Sequence, residues 1–320
     1  MKYIFIVNKG AGKGKCERIV PKIEEECQKR NYEYEIRYIE KDLSGADIAS
    51  EYKDEENVIY VVGGDGTLAK TLPGVVGTKN RLGIIPAGSG NDTYRTIKTM
   101  EDGAHKIDLG KINDTYFINV ACTGIDAEVA NNLDLFRNTI VPSSQLYTVS
   151  IFYTFFKFKF KKIKLTTRVK VLDTEYTILS VCNGSYYGGG YKIAPKSRLT
   201  DGLLDIYYAE KMSKFKIIPL ILKLNKGKHE GKRRIHKFRC DKVEINFEEE
   251  IVFNVDGEKL SGKDFKIEVL KEALVLHNDK EFVEEILDYR NIYIEKKEEI
   301  STNSLQNVEI SFCFLLFFKF

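Results

Sequence analysis

Residues 58–67 read VIYVVGGDGT. The β-branched, apolar run Val58–Val62 has the length and composition of a buried strand. It breaks into Gly63-Gly64-Asp65-Gly66-Thr67. These glycines permit a tight turn and a close approach of backbone to a bulky anion. A helix after Thr67 would turn its free amide groups toward that anion. Asp65 adds a carboxylate able to serve a magnesium ion. The stretch therefore reads as a nucleotide-phosphate site at the end of a sheet strand, although a Gly-rich turn alone is also an ordinary connector.

A second element stands close by. Residues 82–92 read LGIIPAGSGND: a short apolar strand, Leu82–Ile85, followed by Gly88-Ser89-Gly90-Asn91-Asp92. A helix up to about Met100 is expected next, capped by Ser89 or Asn91. At the N-terminus, Tyr3–Val7 reads as a first strand and Asn8-Lys9-Gly10-Ala11-Gly12 as its loop. Neither of two common glycine signatures fits that loop. Only three residues separate Gly10 from Gly14, and Cys16 follows Lys15, so it is not G-x-x-x-x-G-K-[ST]; Lys15 also occupies the last glycine of G-x-G-x-x-G.

The residues up to about 105 alternate strand and helix signals. Helices are expected at Lys15–Arg30, Ala46–Lys53 and Leu68–Val76, and a further strand at Tyr34–Ile39. That alternation implies a parallel sheet with helices on both faces. The texture then changes to short alternating runs at Lys106–Gly110, Tyr116–Ala121, Leu165–Leu172, Glu175–Asn183, Leu203–Ala209, Lys242–Phe247, Ile251–Val255 and Phe265–Leu270, which imply an antiparallel β domain. Helices are expected at Ser143–Phe158, Lys214–Leu224 and over 281–299. The expected domains are 1–123 (nucleotide-binding) and 124–278 (β-rich), with a cleft between them. Residues 279–300 are expected to return to the first domain, and the apolar tail within 301–320 has no assigned role.

With 320 residues, 43% apolar and 30% charged, the chain suits two packed domains of a soluble protein. A net charge of +3 is too small to argue for nucleic acid. Its six cysteines include no C-x-x-C pair, which favours reduced thiols and the cytoplasm over disulfides or zinc. No secretory signal is visible, and no segment reaches the roughly 20 apolar residues of a spanning helix. The basic stretch Lys223–Arg239 reads as a solvated loop or as a site for anionic headgroups. The run Phe155–Lys164 fits a helix end, a strand or a membrane interface with snorkelling lysines.

Together GGDGT, the later P-x-G-S-G-N-D and the opening N-x-x-x-G loop resemble the catalytic domain of the diacylglycerol kinase and sphingosine kinase superfamily, and above all its bacterial diacylglycerol kinase and YegS-type lipid kinases. The resemblance covers about residues 1–277. It implies an α/β N-terminal domain like that of NAD kinase and phosphofructokinase, an antiparallel β-sandwich C-terminal domain, and an active site in the interdomain cleft. It implies ATP as phosphoryl donor, Mg2+ as cofactor, and a lipid hydroxyl, foremost that of diacylglycerol, as acceptor. The ATP-binding set would be Asn8, Gly10, Gly12, Gly63, Gly64, Asp65, Gly66, Thr67, Ser89 and Asn91. By itself, Val255-Asp256-Gly257-Glu258 is an ordinary hairpin turn; the resemblance makes Glu258 the proton acceptor, with Asp65 as the second catalytic carboxylate. It also makes Asp201, with the backbone oxygens of Arg198 and Leu203, a structural magnesium site, and lets Asp65 reach magnesium through water. Asp92 and Asp126 are further acidic residues, better read as caps or structural partners.

Two positions depart from the family pattern. Lys9 replaces a usual proline, and Ile39, where a threonine is usual, cannot donate a hydrogen bond. They leave room for a regulatory module that binds ATP without turnover. A NAD kinase, which carries similar glycine-rich turns, is the other alternative, and GSGND with V-D-G-E argues against it. Other lipids, sphingoid or phosphatidylglycerol, are open as acceptors. The expected partners are a lipid substrate at a membrane surface and no nucleic acid; a homodimer is left open. The expected location is cytoplasmic with peripheral membrane association.

Overall fold

A computed structural model of the protein describes residues 1–88, 90–136, 146–213 and 227–287, together with residues 216 and 223. Strands β1 (Tyr3–Val7), β2 (Tyr34–Tyr38), β3 (Val58–Gly63) and β4 (Arg81–Pro86) pair in parallel in the order β2-β1-β3-β4. Every residue of β1 and β3 is buried. Such strands need cover on both faces, which is why they read as continuous apolar runs. The cover comes from α1 (Lys15–Lys29), α2 (Gly45–Ser50), α3 (Asp65–Thr71) and α4 (Asp92–Ile97). α1 buries Cys16, Ile19, Val20, Ile23 and Cys27, an i, i+3, i+4 stripe. α2 starts at a capping box in which Ser44 and Asp47 satisfy each other's backbone amides. α3 starts earlier than its apolar pattern suggests and gives way at Leu72–Gly74 to a 3-10 turn, where Pro73 cannot continue the helix.

The antiparallel part comprises β5 (Gly103–Ile112), β6 (Thr115–Phe117), β7 (Val120–Gly124), β8 (Lys161–Thr166), β9 (Val171–Cys182), β10 (Leu204–Glu210), β11 (Ile235–Cys240), β12 (Lys242–Val255) and β13 (Glu258–Asn278), with helices α5 (Ile125–Phe136) and α6 (Leu146–Lys157) after β7. Its core holds Phe253 against Phe265, ring centroids 4.6 Å apart, with Phe247, Tyr176, Leu179 and Ile245 around them. Several sequence expectations need correction. Leu165–Leu172 is not one strand but the tip of the β8–β9 hairpin, closed by the Thr167 amide on the Lys170 carbonyl at 2.8 Å. Tyr116–Ala121 is split between β6 and β7. Lys242–Phe247 and Ile251–Val255 are one strand, with a register shift against β13 between Asn246 and Ile251. Within the basic stretch, Ile235–Cys240 is a strand paired with β10 rather than a loop. Apart from residues 216 and 223, the expected helix at 214–224 lies outside the described residues, as do residues 288–300 of the expected return segment and the tail 301–320.

One strand joins the two parts. β13 is 21 residues long; its first half pairs with β12, while Val275 and Leu276 pair in parallel with Arg81 and Leu82 of β4. The hydrogen-bonded ladder therefore runs unbroken from β11 to β2. After β13, α7 (Lys280–Leu287) returns to the first four strands and buries Phe282, Val283, Ile286 and Leu287. Phe282 stands 5.4 Å from the Tyr60 ring and 6.2 Å from Phe5, with the Arg30 guanidinium 5.3 Å from its own ring. Phe282→Ala should cost about 3–5 kcal/mol of stability, read as a lower urea midpoint.

Candidate active site

Three loops meet at the carboxyl ends of β1, β3 and β4, where ligands of open α/β sheets bind. Two of them touch backbone to backbone: a Cβ on Gly88 would stand 2.4 Å from the Gly64 Cα. The first loop joins them through Gly12, at φ +62°, where a Cβ would fall 2.0 Å from the Ala87 carbonyl oxygen. Asn8 ties the first loop to the second, its Nδ2 donating to Thr67 Oγ1 at 2.9 Å while its Oδ1 accepts from the Gly10 amide at 3.1 Å. Thr67 Oγ1 packs where a side chain on Gly63 would stand, 2.6 Å from the Cβ position. Gly64 precedes α3 in an extended conformation and Gly66 lies in its first turn.

Asp65 has a role its position in sequence does not announce. Its Oδ2 accepts from the Asp92 amide and its Oδ1 from the Thr93 amide, both at 3.1 Å. It thus caps α4 from 27 residues away. The side chain of Asn91, at the helix start, makes no cap; at φ +54° it bonds back to Gly88, accepting from its amide at 3.0 Å and donating to its carbonyl at 2.7 Å. Ser89 lies outside the described residues, as does the side chain of Asp126. Asp92 is buried, and its Oδ2 accepts from the Gly189 amide at 2.7 Å. Its Oδ1 makes no hydrogen bond; Arg95 Nη1 is 3.8 Å away. Burial raises the Asp92 pKa from its ordinary value, and Asp65 adds to the rise.

The other side of the site comes from the turn between β12 and β13. Asp256, at φ +46°, directs its carboxylate into three consecutive amides: Ile118 at 2.6 Å, Asn119 at 3.0 Å and Val120 at 2.8 Å. The residue is half-exposed, but its carboxylate is enclosed, and burial pushes the pKa up to about 6 against the pull of those amides. Two residues on, Glu258 stands beside the first loop of α3: its Oε1 is 3.3 Å from the Cβ position of Gly66 and 3.4 Å from Lys70 Nζ. Asn119 joins the two sides, donating from Nδ2 to Thr93 Oγ1 at 2.9 Å and accepting at Oδ1 from Thr96 Oγ1 at 2.8 Å.

Asp201 is placed apart from this cluster and is already committed. Its Oδ1 accepts from the Leu203 amide at 3.2 Å, and its Oδ2 pairs with Arg239, which also reaches Asp205 from Nε at 3.2 Å. In this structure a guanidinium occupies one of the two carboxylate oxygens that a cation beside Arg198 and Leu203 would draw on. Among the described residues no three His, Cys, Asp or Glu side chains converge. Beside the glycine loops stand Asp65, whose two oxygens already accept amides, and the Asp92 oxygen that makes no hydrogen bond; a cation arriving with a nucleotide would share these oxygens or be reached through water.

Sequence reasoning missed Lys70, the partner of Glu258, and the Gly188-Gly189-Gly190 loop. All three of those glycines have positive φ, and the loop brings an amide of the β-rich part to Asp92. The triple glycine was the available signal. Lys9, where a proline is usual, sets its Nζ 4.2 Å over the Tyr38 ring.

Comparison with known proteins gives the family. Residues 2–120 match the diacylglycerol kinase catalytic domain, and residues 119–278 match the YegS C-terminal NAD kinase beta sandwich-like domain. The chain belongs to the bacterial diacylglycerol kinase and YegS-type lipid kinase family. It is 27% identical over 218 residues to the diacylglycerol kinase of Bacillus subtilis, covering 64% of this chain and 72% of that one. It is 27% identical over 237 residues to a YegS-like protein of Shewanella frigidimarina named as a lipid kinase, covering 69% and 76%. A solved structure from Bacillus anthracis, described as a candidate diacylglycerol kinase, superposes with a TM-score of 0.71 at 24% identity over 88% of this chain and 96% of that one, a likeness of fold.

Two substitutions test the geometry. Asp256→Asn keeps a side chain that tolerates positive φ but sets an amide group against backbone donors, and should cost about 1–3 kcal/mol at neutral pH. The folded pKa of Asp256 lies above the unfolded carboxylate value of about 3.9. A proton held more tightly in the folded state adds stability at low pH; that added part is full below about pH 4 and is lost as pH rises through about 6, leaving the hydrogen bonds of the ionised carboxylate. Urea titrations across that window should show the wild-type slope shrink in Asp256→Asn. Gly88→Ala, by forcing Gly64 away, should weaken ATP binding at least about tenfold, about 1.4 kcal/mol, measured by calorimetry.

Proposed function

We propose that the chain transfers the terminal phosphoryl group of ATP to a lipid hydroxyl, with diacylglycerol as the acceptor. The observation that carries the reading is the approach of Glu258, from the β-rich part, to Gly66 in the glycine loop of the α/β part. Phosphoryl transfer asks the protein for little covalent chemistry. It needs the phosphates held, their charge balanced, and the attacking oxygen aligned with a group that takes its proton.

The glycine loops supply the first of these needs. Gly63, Gly64 and Gly66 carry no side chain to hold a phosphate off the backbone, and the first amides of α3 face outward for it. Asn8 holds Thr67 Oγ1 as an acceptor, which leaves the hydroxyl proton of Thr67 for a phosphate oxygen. Gly10, Gly12 and Asn91 shape the walls of the cradle. A magnesium ion brought with the nucleotide would balance the charge on the transferred group, and Asp65 with Asp92 would hold it. Glu258 then takes the proton of the acceptor hydroxyl on the far side of the cradle. Diacylglycerol is favoured as acceptor by the family of the relatives, and peripheral contact with a membrane follows from where such a substrate resides.

Purified protein with Mg-ATP should label diacylglycerol in a panel that also holds sphingoid bases, phosphatidylglycerol and NAD. Glu258→Gln should lower turnover by about 10²–10⁴-fold with an unchanged melting temperature and unchanged ATP binding. Turnover equal to wild type would remove Glu258 from the mechanism. Labelling of NAD alone would assign the site to another reaction. ATP binding with no product from any acceptor would make the chain a nucleotide-binding module.

A further inference from the structure

We propose that the α5–α6 pair and the lysine run after it form a face that docks on an anionic lipid bilayer. Among the described side chains of α6, the fully buried ones are polar and the exposed ones include two aromatic rings. The side chains it buries include Ser150, whose hydroxyl donates to the Val129 carbonyl of α5 at 2.6 Å, and Thr154, whose hydroxyl accepts from Asn132 of α5 at 2.8 Å. What it turns outward is aromatic: Tyr153 is 38% exposed and Phe156 67%. Exposed aromatic rings are the opposite of what a water-facing helix side calls for. Tyr153 and Phe156 are one turn apart and share a face of the helix. The Tyr153 ring lies 5.5 Å from that of Phe136 at the end of α5, next to Leu135, which is 56% exposed. Three of the exposed large apolar side chains among the described residues thus gather at one end of one helix pair. Clustering of that kind marks an interaction surface, whereas scattered apolar residues do not.

Charge decides the partner. Residues 155–164 read FFKFKFKKIK and contain no acid. Lys161 is taken up by Glu128 and Glu249, each at 3.7 Å. Lys157, Lys159, Lys162 and Lys164 are exposed and, among the described residues, make no ion pair. Aromatic rings flanked by unpaired lysines suit the boundary between acyl chains and negative headgroups, where the rings enter and the ammonium groups stay in water. The face is also continuous with the reacting turn. β7, which runs directly into α5, pairs its Ala121 and Cys122 with Val255 and Asn254, and its Val120 carbonyl accepts from the Asp256 amide at 3.0 Å. The choice of a bilayer as partner rests on the lipid-kinase reading above.

The test is co-sedimentation with vesicles of phosphatidylcholine alone and of phosphatidylcholine with phosphatidylglycerol. Wild type should pellet with the anionic vesicles and lose binding as salt rises. Tyr153→Ser with Phe156→Ser should lower the partition coefficient at least about tenfold. Each Lys→Gln at 157, 159, 162 and 164 should lower it about fivefold at low salt, with melting temperatures unchanged. Pelleting of the variants like wild type, or no anionic binding by wild type, overturns the docking face. The same variants should turn over a short-chain, water-dispersed diacylglycerol at the wild-type rate; loss of that turnover would place the effect in the active site and overturn the proposal. Failure of wild type to phosphorylate the short-chain lipid would instead overturn the kinase reading and leave the vesicle result standing.

Discussion

The carboxylate of Asp256, inserted into the amides of Ile118, Asn119 and Val120, is the contact on which the rest of the site depends. A buried charge is tolerated only when its hydrogen bonds are met, and here the donors are backbone groups that no rotamer change can withdraw. The chain must therefore hold the β12–β13 turn against the segment between β6 and β7, which is also where the two matched domains adjoin. The turn itself is tightened by the Gly257 amide on Asn254 Oδ1 at 3.0 Å. Glu258 leaves that turn with little freedom in where its side chain can begin.

From Asp256 a polar route leads back to the glycine loops. Asn119 donates its amide to Asp256 and its side chain to Thr93; the Thr93 amide donates to Asp65, which opens α3. The turn that carries Glu258, the joint at Asn119 and the glycine loop are linked by hydrogen bonds made largely to backbone. The ladder of β13 supplies the matching constraint at the level of the sheet, since one strand pairs with both β12 and β4. Group transfer is sensitive to displacements of about 1 Å, and a site shared between two domains needs coupling of this kind.

How much of this could be read from the sequence follows from the range of each interaction. The strands of the α/β part and their glycine loops were legible because each is encoded within ten residues: a β-branched run, then Gly-rich turns. The β8–β9 hairpin was not, because Thr167–Lys170 contains no glycine, proline or asparagine and the alternation continues across the turn. The register shift in β12 hid a single strand as two. Glu258 was placed by its motif, yet nothing local showed that Lys70 would meet it. The pairing of Asp201 with Arg239, 38 residues later, was not legible, because strand pairing and not spacing brings the two together. Asp65 and Asp92 were visible as carboxylates, but their amide partners lie 27 and 97 residues away.

The ion pair between Lys70 and Glu258 bears on how a base can be held and still be available. Lys70 follows Gly66 by four residues, so its side chain rises over the same face of α3. Both groups are substantially exposed, 66% and 40%, and a pair so placed is worth less than about 1 kcal/mol. A contact that weak orients the carboxylate without locking it. In the proposed reaction an acceptor hydroxyl would have only to outbid one solvated ammonium group, whereas Asp256, two residues earlier, is bound by three amides. The division of labour between the two carboxylates of one tight turn, one fixed and one lightly tethered, is what lets a rigid frame present a reactive side chain.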